Sequence, residues 1–302
     1  MSKPRPLVSV IVPARDASVY LTRAVSSALA QTYHRLEVIV VSDDSEDYRG
    51  QLRRAGLAEP RLRFASTPRP GSGLAHARNI GLSLARGCII ASLSATGVFY
   101  PTRLEQLVPR VLAHGAASDN VRIVENATHR VIGTARPLNC RHAVWSTLDY
   151  GSMAAPVSLV AHRALMADGW DERIGWLSEL VTNMRVIERS DGVQMLMQPL
   201  HVMYATARPP GSRPDHVRRM AGDCWRCTEL ARHGALSCDD TTRDALIAIL
   251  AQQLALYRFF ADSDAPTFED FLVRRGMLSH PRCQASDATT TPPPTPDVHR
   301  AA

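Results

Sequence analysis

The chain has 302 residues, 45% hydrophobic and 21% charged, a balance that supports a packed core and excludes a disordered or fibrous protein. Its net charge of +6 is carried almost wholly by arginine, since Lys3 is the only lysine, and no basic run interleaved with aromatics points to nucleic acid as a partner. No uninterrupted apolar stretch reaches the ~18 residues of a membrane span, and the start MSKPRPLVSVIVP lacks the pattern of a signal peptide, so a soluble, cytoplasmic protein with its six cysteines as thiols is expected.

Leu7 to Pro13 is a β-branched apolar run of the type buried on both faces of a parallel sheet. A helix should follow, with Ser18 as its cap and Leu21, Ala24, Val25, Ala28 and Leu29 at helical spacing up to Gln31. Leu36 to Val41 predicts a second strand, and the polar run Ser42, Asp43, Asp44, Ser45, Glu46, Asp47 closes a turn and caps the next helix. A short strand near Leu62 to Ala65, a loop from Pro68 to Gly73, a helix from about Leu74 to Arg86 stopped by Gly87, and a buried strand from Cys88 to Leu93 continue the alternation. Such spacing implies right-handed crossovers and a mostly parallel sheet, with ligands beyond the strands' carboxyl ends. Those ends are Pro13, the 42–47 cluster and the turn after Leu93.

From Pro101 a helix with Leu104, Leu107, Val108 and Leu112 on one face runs to Ala113, and Val121 to Val124 with Arg130 to Thr134 predicts a hairpin that makes the sheet mixed. Residues 160 to 189 suggest two helices around the turn Gly169 to Arg173, and Val193 to Met197 a final strand. After Pro209, Pro210 and Gly211 the pattern is helical, at about 214 to 233, 241 to 261 and 267 to 275. Residues 284 to 302, which include TTTPPPT, predict a disordered tail. The expected organisation is an α/β domain over 1–235, a helical extension over 236–283 and the tail.

The segments VSVIVPARD (8–16), AQTY (30–33), LEVIVVSDDSED (36–47), GLAHARNIGLSLARG (73–87) and CIIASL (88–93) resemble the nucleotide-binding half of the family 2 glycosyltransferases, and GWDER (169–173) extends the likeness to about residue 190. Members of that family have the GT-A fold and move a sugar from a nucleoside diphosphate donor. The resemblance implies an inverting transfer from a UDP- or other NDP-sugar to a glycan or lipid-linked acceptor of a bacterial envelope. It assigns Asp43 to the nucleotide, Pro13, Ala14, Arg15 and Asp16 to the loop beside the base, and Arg78 with Asn79 to an ARN motif facing the diphosphate. Read from the residues alone, Asp43 also fits a cap on the following helix, and Arg78 a helix-surface arginine or the partner of a nearby acid. His76 is expected to be structural.

Two departures from the family pattern stand out. Where the family carries Leu-Asp-Ala-Asp-Asp, whose acids hold a divalent cation against the leaving diphosphate, this chain reads Leu93, Ser94, Ala95, Thr96, Gly97. No metal cofactor is therefore expected, Ser94, Thr96 and Gly97 being poor replacements. Where the family has a Glu-Asp pair whose aspartate is the base, this chain has Ser178 and Glu179, leaving Glu179 as the candidate base. The double departure keeps two readings open: a metal-free transferase, or a catalytically inactive relative acting as a regulatory or scaffolding partner.

Downstream, Cys224, Cys227, His233 and Cys238 approach a zinc-knuckle spacing, yet Cys224 and Cys227 equally suit the buried face of a helix. Arg213, His216, Arg218 and Arg219 read either as cationic charge closing over a donor or as a solvated helix start. A basic face on the carboxyl-terminal helices suits peripheral contact with the inner membrane or a homodimer.

Overall fold

The computed structural model describes residues 5–136, 143–151, 158–190, 192–205 and 213–279. The loop at 209–211, the side chain of Arg213 and the tail at 284–302 lie outside the described residues. Strands and helices alternate at first: β1 (Val8–Ala14), α1 (Leu21–Leu29), β2 (Leu36–Ser42), α2 (Tyr48–Arg54), β3 (Leu62–Ser66), α3 (Leu74–Leu84) and β4 (Ile89–Ser92). Then come β5 (Val98–Phe99), α4 (Arg103–His114), β6 (Ala116–Glu125), β7 (Val131–Thr134), β8 (Ala143–Trp145), α5 (Thr147–Gly151) and β9 (Val160–His162). A 3₁₀ turn at Arg163–Met166, α6 (Ser178–Arg189), β10 (Val193–Ala205), α7 (Arg213–Arg232), α8 (Asp240–Ala261) and α9 (Phe268–Arg274) complete the chain.

The strands form one sheet in the order β3-β2-β1-β4-β9-β6-β10-β5, with β7 on β6 and β8 on β10. Parallel pairing runs through β3, β2, β1 and β4 and recurs between β6 and β10; β9, β7, β8 and β5 pair antiparallel, so the sheet is mixed beyond its first four strands. Alternation within β1 explains why so apolar a strand is needed. Val8, Val10 and Val12 enter the core shared with α1 and α4, while Ile11 enters the opposite core with α3 and the later helices. Two glycines let α3 approach this closely. A Cβ at Gly81 would meet Ile11 Cγ2 at 2.4 Å, and one at Gly87 would meet the Leu7 carbonyl at 2.6 Å. α7, α8 and α9 pack into the same core as Ile11, through Cys224, Cys227, Leu246, Ile249, Leu250, Phe260 and Phe271. α8 is long and apolar enough to cross a membrane by composition, but that residue set is what the core of a soluble helix also requires.

Several expectations are corrected. Ser18 does not cap α1: the residue before the helix is Tyr20, with no side-chain cap, and the helix ends at Leu29 rather than Gln31. Residues 160–177 are not a helix, because Val160–His162 is a strand inserted between β4 and β6. The final strand, β10, runs to Ala205 and not to Met197.

Beneath the sheet's far half lies a buried ionic hub. Asp119 and Arg103 are fully buried, with Arg103 Nε donating to Asp119 Oδ1 at 2.8 Å, while Asp119 Oδ2 accepts the Leu200 amide at 2.9 Å and lies 2.7 Å from His201 Nδ1. Burial pushes the Asp119 carboxyl up, but Arg103, His201 and these hydrogen bonds outweigh it and hold the group below its usual range. Glu37, on β2, is similar: burial opposes ionisation, yet Ser9, the Arg86 amide and Arg63 hold it below its ordinary 4.5. Its stabilising effect is therefore complete above that value and is lost as pH falls through the lower folded-state value. Glu37→Gln should be less stable than the parent chain at about pH 6, with the gap closing by about pH 3 in urea melts. A gap that stays constant with pH would contradict this.

Candidate functional site

β1 and β2 end side by side, and their carboxyl ends open into a cleft of about 310 Å³ lined by Pro13, Ala14, Arg15, Asp16, Ala17, Tyr20, Asp43, Leu74, Ala77, Arg78, Ser94, Ala95 and Thr96. Pro13, Ala14, Arg15, Asp16, Asp43 and Arg78 thus share one cavity with the 94–96 turn, whereas Asn79, the other residue of the motif assigned to the diphosphate, does not line it. Gly97 and Glu179 are not on its wall.

Asp43 does not cap the helix after it. Asp47 does that, accepting the Gly50 amide at 2.8 Å. Asp43 instead is buried at the cleft floor, where Oδ1 accepts from Thr67 Oγ1 and Oδ2 from the Gly73 amide, each at 3.0 Å, so that it fixes the start of α3. Arg15 Nη1 lies 3.9 Å from the same carboxylate and is more than half exposed. Asp16 sits at φ 51°, a left-handed conformation that Asp and Asn tolerate better than most residues. Asp44, which the sequence offered only as one of a polar run, holds this loop: it accepts from the Asp16 amide at 2.7 Å and the Tyr48 hydroxyl at 2.6 Å, and Tyr48 in turn accepts the Ala17 amide at 3.0 Å. Burial, then the bond to Asp44, pushes the Tyr48 phenol well above its usual value, so it stays a donor.

Arg78, on α3, has a side chain only 4% exposed. Its Nη2 donates to Glu179 Oε2 at 2.5 Å, while Nε and Nη1 are buried with no hydrogen-bond partner among the described residues. The guanidinium lies 5.7 Å from the Trp170 ring centre, and the Trp170 indole N–H is likewise unpartnered there. Glu179 Oε1 accepts from Ser158 Oγ at 3.3 Å, a residue the sequence did not suggest. The candidate base is therefore joined to the cleft wall through Arg78. Asn79 donates to the Trp170 carbonyl and to Glu172, and accepts the Trp170 amide, all at 2.8 Å, tying α3 to the 169–172 turn. His76 lies 2.8 Å from Glu172 at the same rim.

The turn after β4 does not offer a divalent cation a set of ligands. Ser94 Oγ and Thr96 Oγ1 hydrogen-bond each other at 3.0 Å, and Gly97 donates its amide to the Ser94 carbonyl at 2.8 Å. Of the two carboxylates on the cleft wall, Asp43 is engaged as described and Asp16 lies on the exposed loop, and no group of three metal-ligating side chains converges among the described residues. Two neutral hydroxyls do not suit a hard cation. Among the described residues the cysteines do not converge with His233 either: Cys224 and Cys227 are buried in α7, where burial pushes their thiols up to about 11 and about 12, while His233 is exposed beside Glu229. Arg218 pairs with Asp215 on the surface of α7, away from the cleft wall. A larger cavity, about 780 Å³, lies at the amino end of β4 and is lined by Asn79, Arg86, Cys88, His162 and Arg163 among others.

The family model described as Glycosyl transferase family 2 matches residues 9–149. That region belongs to glycosyl transferase family 2. Within the family, the chain is 38% identical over 121 residues to the succinoglycan biosynthesis protein ExoO of Rhizobium meliloti, covering 39% of this chain and 34% of ExoO. The matches span from 15% to 35% of the length of such curated relatives. Among solved structures, S. aureus TarS 1-349 in complex with UDP-GlcNAc superposes with a TM-score of 0.58 at 18% identity, covering 84% of this chain and 72% of TarS. The mannosyltransferase PcManGT from Pyrobaculum calidifontis, in complex with GDP-Man and Mn2+, gives 0.52 at 20% identity, covering 90% of this chain and 80% of its own. These likenesses place the family 2 region in the GT-A fold.

Proposed function

We propose that the chain is a glycosyltransferase that seats a nucleoside diphosphate sugar in the cleft between β1, β2 and α3 and transfers the sugar without a divalent cation. The observation that carries this reading is Arg78. A buried guanidinium with two unpartnered nitrogens on a cleft wall is costly unless an acceptor-rich ligand completes it, and a diphosphate presents such acceptors in fork-compatible geometry. Asp43 and the Arg15–Asp16 loop then face the nucleoside at the strands' ends, where open α/β sheets bind ligands. Glu179 accepts the proton of the acceptor hydroxyl as that oxygen bonds to the anomeric carbon. The bond to the nucleoside diphosphate breaks, and its electron pair leaves with the phosphate oxygen, whose charge the arginines meet.

The acceptor is a glycan or lipid-linked saccharide in this reading. A second reading has one specific observation in its favour. Both oxygens of Glu179 already accept one hydrogen bond each, from Arg78 and Ser158, so the carboxylate is used to hold the cleft wall and keeps only its remaining lone pairs for an acceptor hydroxyl. The chain would then bind nucleotide without transferring sugar. The two are separated by following nucleoside diphosphate release from UDP-GlcNAc and GDP-mannose in EDTA. Turnover that exceeds the Glu179→Gln variant supports the transferase, whereas binding without turnover gives the second reading.

A further inference from the structure

One cation behind the cleft meets no carboxylate among the described residues. Arg23, near the start of α1, is partly buried, with its guanidinium carbon 3.6 Å from the Tyr204 ring centre. Its Nη2 donates to the Thr96 carbonyl and to Asn126 Oδ1, each at 3.4 Å, and its Nε is buried without a hydrogen-bond partner. No carboxylate acts on it among the described residues; the titratable groups that do are the Tyr204 and Tyr20 phenols. Burial accordingly pushes its pKa below the ordinary value.

An unpaired, partly desolvated charge is unfavourable for folding and is concentrated at sites that use its field. Arg23 touches the backbone of Thr96, and Thr96 and Tyr20 both line the cleft, so the charge sits directly behind the turn that would carry metal-binding acids in the family pattern. Acids in that turn would neutralise it; Ser94, Thr96 and Gly97 leave it uncompensated. We propose that Arg23 is a fixed counter-charge for the donor diphosphate, acting through the 94–97 turn where the cation is missing. This rests on the donor-site reading above. Because Arg23 stands behind the cleft wall and is not one of its lining residues, its field should distinguish ligands by charge and not by base.

The test is calorimetric titration in EDTA of UDP and uridine, and of GDP and guanosine, against the parent chain, Arg23→Met and Arg23→Lys. Arg23→Met is expected to weaken the bound diphosphate about tenfold at low salt while changing its nucleoside less than about twofold, and Arg23→Lys to stay near the parent. A purely structural role would lower both affinities in parallel. Parallel loss, or no change, in a chain that binds the diphosphate overturns the counter-charge. If the parent chain binds neither UDP nor GDP, the donor-site reading itself falls, and the counter-charge falls with it.

Discussion

Asp119→Ala is expected to lower the melting temperature by about 6–10 °C, from a loss of about 3–5 kcal/mol. The carboxylate accepts from Arg103, His201 and the Leu200 amide, all buried, and its removal strands a guanidinium that is 0% exposed and already has one unpartnered nitrogen. Breaking one side of a buried pair costs more than removing both. The double variant Asp119→Leu with Arg103→Met should therefore recover much of the loss. Its effect should also reach the candidate base, because Arg103 Nη2 holds the Ser158 carbonyl at 2.8 Å and Ser158 holds Glu179. A shift below about 2 °C for Asp119→Ala, read by calorimetry, would show that the hub is not load-carrying in the folded state.

Glu179→Gln is expected to reduce sugar transfer at least about a hundredfold, the lower range for losing a positioned general base, while donor affinity changes less than about twofold. The carboxamide oxygen can still accept from Arg78, so the cleft wall keeps its shape while the proton acceptor is lost. The measurement is nucleoside diphosphate release at saturating donor. A variant as fast as the parent would exclude Glu179 as the base. A variant with weakened donor binding and an unchanged rate would make it a support for Arg78 instead.

How much of this was legible in the sequence depended on how local the cause was. β1, β2, β4 and α1 were readable because runs such as VSVIVPA combine burial on both faces with an end at a polar turn, and because Leu21, Ala24, Val25 and Ala28 mark one helix face. Val160–His162 was misread because its partners are remote: it pairs with Ile89–Ala91 on one side and Ala116–Ala117 on the other, and three residues give no period to detect. The segment Ala116–Asn120 hides likewise. Ser118, Asp119 and Asn120 are poor strand formers, kept in place by the Ser158 carbonyl, Arg103 and the Met197 carbonyl.

Within the site, Asp43 and the Pro13 to Asp16 loop were legible as polar residues at strand ends, and the structure places them in one cleft. The resemblance brought in Arg78, but its pairing with Glu179 across 101 positions of sequence could only come from the fold. Arg23 gave no signal at all. On a helical wheel it is one more arginine, and only the positions of Thr96 and Tyr204 make it a charge without a counter-ion.

Cation-free binding of a nucleoside diphosphate in the cleft is read by thermal unfolding with UDP, GDP and their sugars, each in EDTA and in Mn²⁺. Ligand a hundredfold above its dissociation constant stabilises the native state by about 2.7 kcal/mol, a rise of about 5 °C for a chain of 302 residues. Such a shift is expected in EDTA for at least one nucleotide, unchanged by Mn²⁺ and lost in Arg78→Met. No shift with any nucleotide, or a shift that requires Mn²⁺, would contradict cation-free binding.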